Sequence, residues 1–226
     1  ATNYTFVAGS NATLTVSKND QMTIPDGTGE GGKDVNEGTL ENIKNKTGLD
    51  LALNVPSEKV YDGTASEVEV VDKGNNNSTT LPTGVTVSYS CKEKNATTAK
   101  ENCNSATDAG EYEITAKISA DTSSYAFEKE LNPVTLKIAK AEVTVTPESK
   151  EILYGSAIPT YTADYRGFIT GEDETNVTIT GSPTYSCSYV QGSPADNYII
   201  SVNVGGMNAT NYTFVAGSNA TLTVSK

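Results

Sequence analysis

Cys91, Cys103 and Cys187 are the three thiols of the chain, and two of them are placed to react with one another. Cys91 and Cys103 have 11 residues between them. Oxidised to a disulfide, they would close a loose loop and stabilise the fold by about 2–3 kcal/mol, by removing entropy from the unfolded chain. We expect that bond; the alternative is two separate thiols. Cys187 has no partner and reads as a small apolar filler at a strand end, with a bridge to another molecule as the alternative. A zinc centre is not expected, because scattered thiols without His lack the usual ligand spacing.

The other reactive groups offer less. His and Trp are absent, which removes the commonest general base and imidazole ligand. Glu67 and Glu69 alternate with Val68 and Val70, as on the wet face of a strand. Asp26-Gly27-Thr28-Gly29-Glu30 and Asn75-Asn76-Asn77 present oxygens to Ca²⁺, but neither matches an EF-hand loop. No cofactor is expected, and Ca²⁺ is the one cation the pattern leaves open. A Lys–Asn cross-link needs a Lys buried beside Asn and a carboxylate. Strand alternation points Val134, Leu136 and Ile138 inward and turns Lys137 out; Tyr112, Ile114, Ala116 and Ile118 do the same to Lys117. No phosphate loop, paired-carboxylate site or Ser–base constellation stands out, so no catalytic, cofactor-binding or metal-binding residue is nominated and the chain is read as no enzyme. A net charge of −12 with Arg166 as the one Arg argues against nucleic acid.

The elements behind these residues are set by repeats. The segment ATNYTFVAGSNATLTVSK occupies 1–18 and again 209–226, an offset of 208 residues that indicates duplication within one gene. Each copy reads as a hairpin, two strands around Ala-Gly-Ser-Asn. A looser repeat relates 47–140 to 141–226. Val60-Tyr61-Asp62-Gly63 answers to Leu153-Tyr154-Gly155, Cys91 to Cys187, Tyr112 to Tyr198, Tyr125 to Tyr212 and Lys140 to Lys226. The interval from Cys91 to Tyr112 is 21 against 11 from Cys187 to Tyr198, so the first module carries an insertion of 10 residues after its Cys. We therefore expect a leftover hairpin at 1–18, a linker or long loop at 19–46 with a weak helical turn near Glu37–Lys46, and two β modules at 47–140 and 141–226.

Short strand candidates separated by turn residues indicate an all-β chain of tandem immunoglobulin-like sandwich modules. The candidates are 50–55, 66–71, 84–90, 111–118, 124–128 and 133–139, then 142–147, 160–165, 176–180, 184–189, 197–204, 211–215 and 219–225. Asp108, Gly110 and Tyr112 resemble a tyrosine corner, in which the hydroxyl bonds back to upstream backbone; an ordinary turn is the alternative. The second module has Pro194-Ala195-Asp196-Asn197-Tyr198 there, without the Gly. A β-grasp-like α+β module is the main rival fold, with 166–176 as its short helix.

Glu58-Lys59-Val60-Tyr61-Asp62-Gly63-Thr64 resembles the YDG-type repeat. Ile152-Leu153-Tyr154-Gly155-Ser156-Ala157-Ile158-Pro159, with Gly167-Phe168-Ile169-Thr170-Gly171-Glu172-Asp173, resembles the YGX-type MBG repeat. Both families occur in tandem in large bacterial surface proteins and adhesins. The resemblance implies an extracellular structural stalk on a bacterial cell surface, made of a fragment of a longer protein, with neighbouring repeats as partners and no catalysis. The alternative is a binding module for host glycan or protein, for which exposed tyrosines such as Tyr161, Tyr165, Tyr185 and Tyr189 would be the sign. The Asn-x-Ser/Thr triplets read as bacterial composition. No apolar run is long enough to span a membrane. The 1–18 copy, without its own module, is expected along a sheet edge or exchanged with a neighbouring molecule.

Overall fold

The computed structural model describes residues 40–121 and 126–226. The 1–18 copy, the linker as far as 39, and Tyr125 lie outside the described residues.

The first half opens with helix α1, Leu40–Thr47. It stops at Gly48, whose φ of +77° suits a residue without a side chain. Ile43 is buried with Leu49, Leu51, Val70 and Ile118, so the end of the expected linker belongs to the first core. Ten strands follow: β1 Leu51–Asn54, β2 Lys59–Val60, β3 Ser66–Glu67, β4 Glu69–Asp72, β5 Val85–Glu93, β6 Lys100–Glu101, β7 Ser105–Ala106, β8 Gly110–Asp121, β9 Ala126–Glu130 and β10 Val134–Ala139. The large sheet runs β2-β10-β8-β5-β6. β8 is long enough to carry two neighbours end to end: β10 pairs with its first part and β9 with its last. β1–β4 and β3–β7 form two small sheets. Alternation places Ile114, Ile118, Leu136 and Ile138 inside and Lys117 and Lys137 outside. The latter meet Glu128 at 2.8 Å and Glu111 at 3.5 Å on the surface.

The second half has β11 Ala141–Pro147, β12 Lys150–Leu153, β13 Ala163–Arg166, β14 Thr184–Cys187, β15 Asn197–Asn203, β16 Tyr212–Ala216 and β17 Ala220–Ser225. They form a three-stranded sheet, β13-β11-β16, and a four-stranded sheet, β12-β17-β15-β14. Val143, Val145 and Phe214 line the inner face of one; Ile200, Leu222 and Val224 line the other. Val202 of β15 packs on the first cluster, which brings the two sheets together. The chain is thus all-β, with sheets packed as in a sandwich.

Four expectations change. The copy at 209–226 is not a hairpin: β16 pairs with β11 and β17 with β15 and β12, so this copy is a corner between sheets. Gly217 makes that corner, crossing so near β11 that a Cβ there would lie 2.1 Å from Thr146 Oγ1. Residues 166–176, expected as the helix of the α+β alternative, end β13 at Arg166 and then run through loop and turns, with Asp173 accepting from Thr175 N and Asn176 N. Residues 176–180 contribute one bridge, Thr180 to Asn208, rather than a strand. The segment between Cys91 and Cys103 is not loose, since β6 pairs with β5 and Asn102 N donates to Tyr89 O at 2.8 Å.

The two halves share the strand order β2-β10-β8-β5 and β12-β17-β15-β14. Register agrees residue by residue. Leu136 faces Tyr112 as Leu222 faces Tyr198, and Cys91 faces Ile114 as Cys187 faces Ile200. Tyr61 N donates to Ala139 O as Tyr154 N donates to Ser225 O.

Candidate functional site

The residues that stand out for their geometry lie where the halves meet. β10 runs into β11 with only Lys140 between them. β2 lies parallel to β10, and the bond from Tyr61 N to Ala139 O (2.8 Å) holds Tyr61 beside this junction. The following turn is built by Asp62, whose carboxylate accepts from Lys59 Nζ at 2.8 Å and from Thr64 N at 2.9 Å. Lys59 first, then Thr64, hold that exposed carboxyl well below the usual range. Gly63 takes φ +76°, and a Cβ there would stand 2.7 Å from Ile169 Cδ1 of the second half.

Tyr61 reaches across the junction. Its hydroxyl donates to Glu172 Oε1 at 2.7 Å, and the Tyr212 hydroxyl donates to Glu172 Oε2 at 2.5 Å. Ile169 N donates to the Tyr212 hydroxyl oxygen at 3.3 Å. The Tyr61 and Tyr212 rings meet edge to face at 5.5 Å, and Phe168 meets Tyr212 likewise at 4.9 Å. Both tyrosines are buried. A second tie is Asn211, whose Oδ1 accepts from Ala109 N (2.8 Å) and whose Nδ2 donates to Asp108 Oδ1 (2.9 Å). Asn211 O accepts from Ala141 N at 2.9 Å. Lys140 Nζ donates to Ala209 O at 2.6 Å and Asn208 Oδ1 at 3.3 Å. The carboxylate, the amide and the ammonium thus each bind a partner on the other side of the junction.

The second-half members of this joint sit at the start of β16, on the residues Asn208–Asn211 that lead into it, and on the loop Gly167–Asp173. Residues 143–223 match the model of the MBG domain (YGX type) family. No curated protein matches the chain. The matched segment holds Glu172, Asn211 and Tyr212; Tyr61, Asp108 and Ala109 come to it from outside. Among the described residues no helix is long and apolar enough to cross a membrane, and no three His, Cys, Asp or Glu side chains gather as a metal site would require.

Burial first, then the Glu172 carboxylate, push the Tyr212 hydroxyl up to about 12. The bond to Glu172 first, then burial, raise Tyr61. The folded chain therefore keeps these protons where the unfolded chain has lost them. Stability is full below pH 10 and falls as pH rises from there through about 12, for Tyr212 by an order of 2 kcal/mol. Chemical unfolding at pH 8, 10 and 11.5 checks this: the midpoint should fall most at the highest pH, and Tyr61→Phe with Tyr212→Phe should reduce the fall, leaving the part due to other raised tyrosines such as Tyr161, which burial pushes up to about 12.

The other nominated residues lie in other parts of the two halves. Cys91 and Cys103 are bonded, with Cα atoms 5.3 Å apart. Cys187 is free and half-buried against the Ile200 and Leu222 cluster. The Tyr112 hydroxyl donates to Asp108 O at 3.0 Å, and its ring lies so close over Gly110 that a Cβ there would touch it at 3.3 Å. Tyr198 makes the same bond to Pro194 O at 2.9 Å without a Gly, so the bond needs only the strand geometry. Tyr112→Phe should cost about 1 kcal/mol in urea unfolding. Of the four tyrosines nominated as a binding surface, Tyr189 is buried and donates to Ser156 O at 2.6 Å. Tyr161 packs on Tyr185, and Tyr165 on Phe168, so the four present no flat ring platform. Sequence reasoning quoted Tyr61, Glu172 and Tyr212 in separate motifs and missed that they converge. The available signal was that the first two fall in loops, where a motif more often serves contact than core.

Proposed function

We propose that the chain is a structural stalk region of an extracellular, adhesin-like bacterial surface protein, in which a YDG-like module at 47–140 and a YGX-type module at 141–226 are held at one fixed angle. The observation that carries this is Glu172 gripped by a tyrosine from each half. A hinge would leave the junction polar and wet; here two buried rings hold a half-buried carboxylate at it. The matching strand order supports two related tandem modules. The disulfide fits an oxidising compartment. No step of this role needs catalysis or a cofactor; its partners are neighbouring repeats.

Residual dipolar couplings test the joint. The intact chain should give one alignment tensor for both halves, and Glu172→Leu should give two. Two independent tensors in the unaltered chain would defeat the proposal. A second reading, a surface for host glycan or protein, draws on an open cleft of about 400 Å³ lined by Asp108, Glu172, Asn176 and Asn211. Its one ring, Tyr212, is turned into the joint, so the mechanical reading stands first. Binding on a glycan array that is lost with Asn176→Ala would favour the second reading.

A further inference from the structure

The face that the first half presents to the joint recurs, unfilled, on the second half. Tyr61 and Tyr154 hold equivalent backbone positions, fixed by the bonds to Ala139 O and Ser225 O. Gly63 and Gly155 follow with φ +76° and +83°. Ala109 and Ala195 each lie three residues before the corner tyrosine, Tyr112 or Tyr198. In the first half every one of these groups is taken: Tyr61 is 7 % exposed, a Cβ on Gly63 would strike Ile169, and Ala109 N donates to Asn211. In the second half Tyr154 is 60 % exposed and a Cβ on Gly155 would meet nothing within 4 Å. Among the described residues neither the Tyr154 hydroxyl nor Ala195 N makes a hydrogen bond. Ile158 and Val190 add exposed apolar surface around it. They are held to the turn by Gln191 Nε2 on Gly155 O (2.8 Å) and the Tyr189 hydroxyl on Ser156 O (2.6 Å).

We propose that the Tyr154–Gly155 turn with Ala195 is a docking face for another YGX-type module, whose carboxylate and Asn, at the positions of Glu172 and Asn211, would take the Tyr154 hydroxyl and Ala195 N. This rests on reading the joint as a contact between modules. Spacing agrees, because Lys140, which leads into β11, corresponds to Lys226. The same polypeptide also holds a second Asn-Tyr pair of the receiving kind, Asn3-Tyr4 matching Asn211-Tyr212. The seat differs in two respects: Gly155 follows Tyr154 directly, with no counterpart of Asp62, and Pro194 stands where Asp108 is, so the Asn amide nitrogen loses a partner and the contact rests on two hydrogen bonds and the rings.

Tyrosine nitration by tetranitromethane, mapped by mass spectrometry, tests this. The probes are the intact chain and the same chain extended after Lys226 by a second copy of Ala141–Lys226 that carries Tyr154→Phe. In the intact chain Tyr61 should resist and Tyr154 should react. In the extended chain Tyr154 should react at least tenfold more slowly, and Glu172→Leu in the appended copy alone should restore its rate. An unchanged rate in the extended chain, or protection indifferent to the appended Glu172, overturns the docking face. Rapid nitration of Tyr61 in the intact chain would instead overturn the joint itself, so the two failures are distinguishable.

Discussion

Tyr212→Ala is expected to cost about 3–5 kcal/mol and to uncouple the two halves, the largest effect of any single change at the joint. Tyr212 is 1 % exposed and packs among Val143, Val145, Phe214 and Tyr61, so truncation removes a ring from a cluster that both halves share. It also removes one of the two hydroxyls on Glu172 and leaves a carboxylate at a junction with half its donors, and hydrogen bonds to charged groups are worth about 1.5–3 kcal/mol each. Tyr212→Phe separates the contributions, since it keeps the ring and drops the hydroxyl. In urea monitored by amide exchange, the unaltered chain should unfold in one transition. Tyr212→Ala should unfold in two, the second half first, while Tyr212→Phe should keep one transition at a lower midpoint. A single transition for Tyr212→Ala within 1 kcal/mol of the unaltered chain would show that the ring carries no coupling.

Alternation made the faces legible. Val134, Leu136 and Ile138, and Ile114, Ala116 and Ile118, point inward as their period of two requires, which follows from local geometry alone. The landmark alignment proved to be a register alignment, because residues that recur in order at near-equal spacing occupy equivalent ladder positions. What alternation does not carry is the choice of partner strand. Tyr212–Ala216 and Ala220–Ser225 alternate well and are joined by a turn, as a hairpin would be, yet Gly217 lets the chain pass over β11 into the other sheet. Lys150–Leu153 was passed over because a four-residue edge strand beginning with two charged residues has too little apolar pattern to show. The joint was hidden for a different reason. Tyr61 and Glu172 are 111 residues apart, and nothing in a period or a spacing links two loop residues that meet only when both halves have folded.

Reduction of the Cys91–Cys103 bond is expected to lower the stability of the chain by about 3 kcal/mol, because the joint makes both halves unfold together, and to open β6 locally. The bond closes a loop of sequence separation 12, for which the loop-entropy estimate is about 3 kcal/mol. That term acts on the unfolded chain, so the β5–β6 ladder in the folded state does not replace it. The ladder has its own weakness: β6 is two residues long and pairs with β5 through Ser90 and Cys91 alone. A two-stranded ribbon of that length is not stable by itself in water, so β6 should fray once the bond is cut. Cys91 is buried with Val68, Ile114 and Leu136, whereas Cys103 is only half-buried, so reduction in place is a cleaner probe than replacing both residues, which would add a cavity at Cys91. Amide exchange with and without a phosphine reductant reads both effects: protection at Lys100 and Glu101 should vanish, and the slowest amides of β8, β10, β15 and β17 should lose protection together, as one coupled transition requires. If the reduced and oxidised chains unfold within about 0.5 kcal/mol of each other, the bond does not stabilise through its loop, and the β5–β6 ladder must already constrain the unfolded chain.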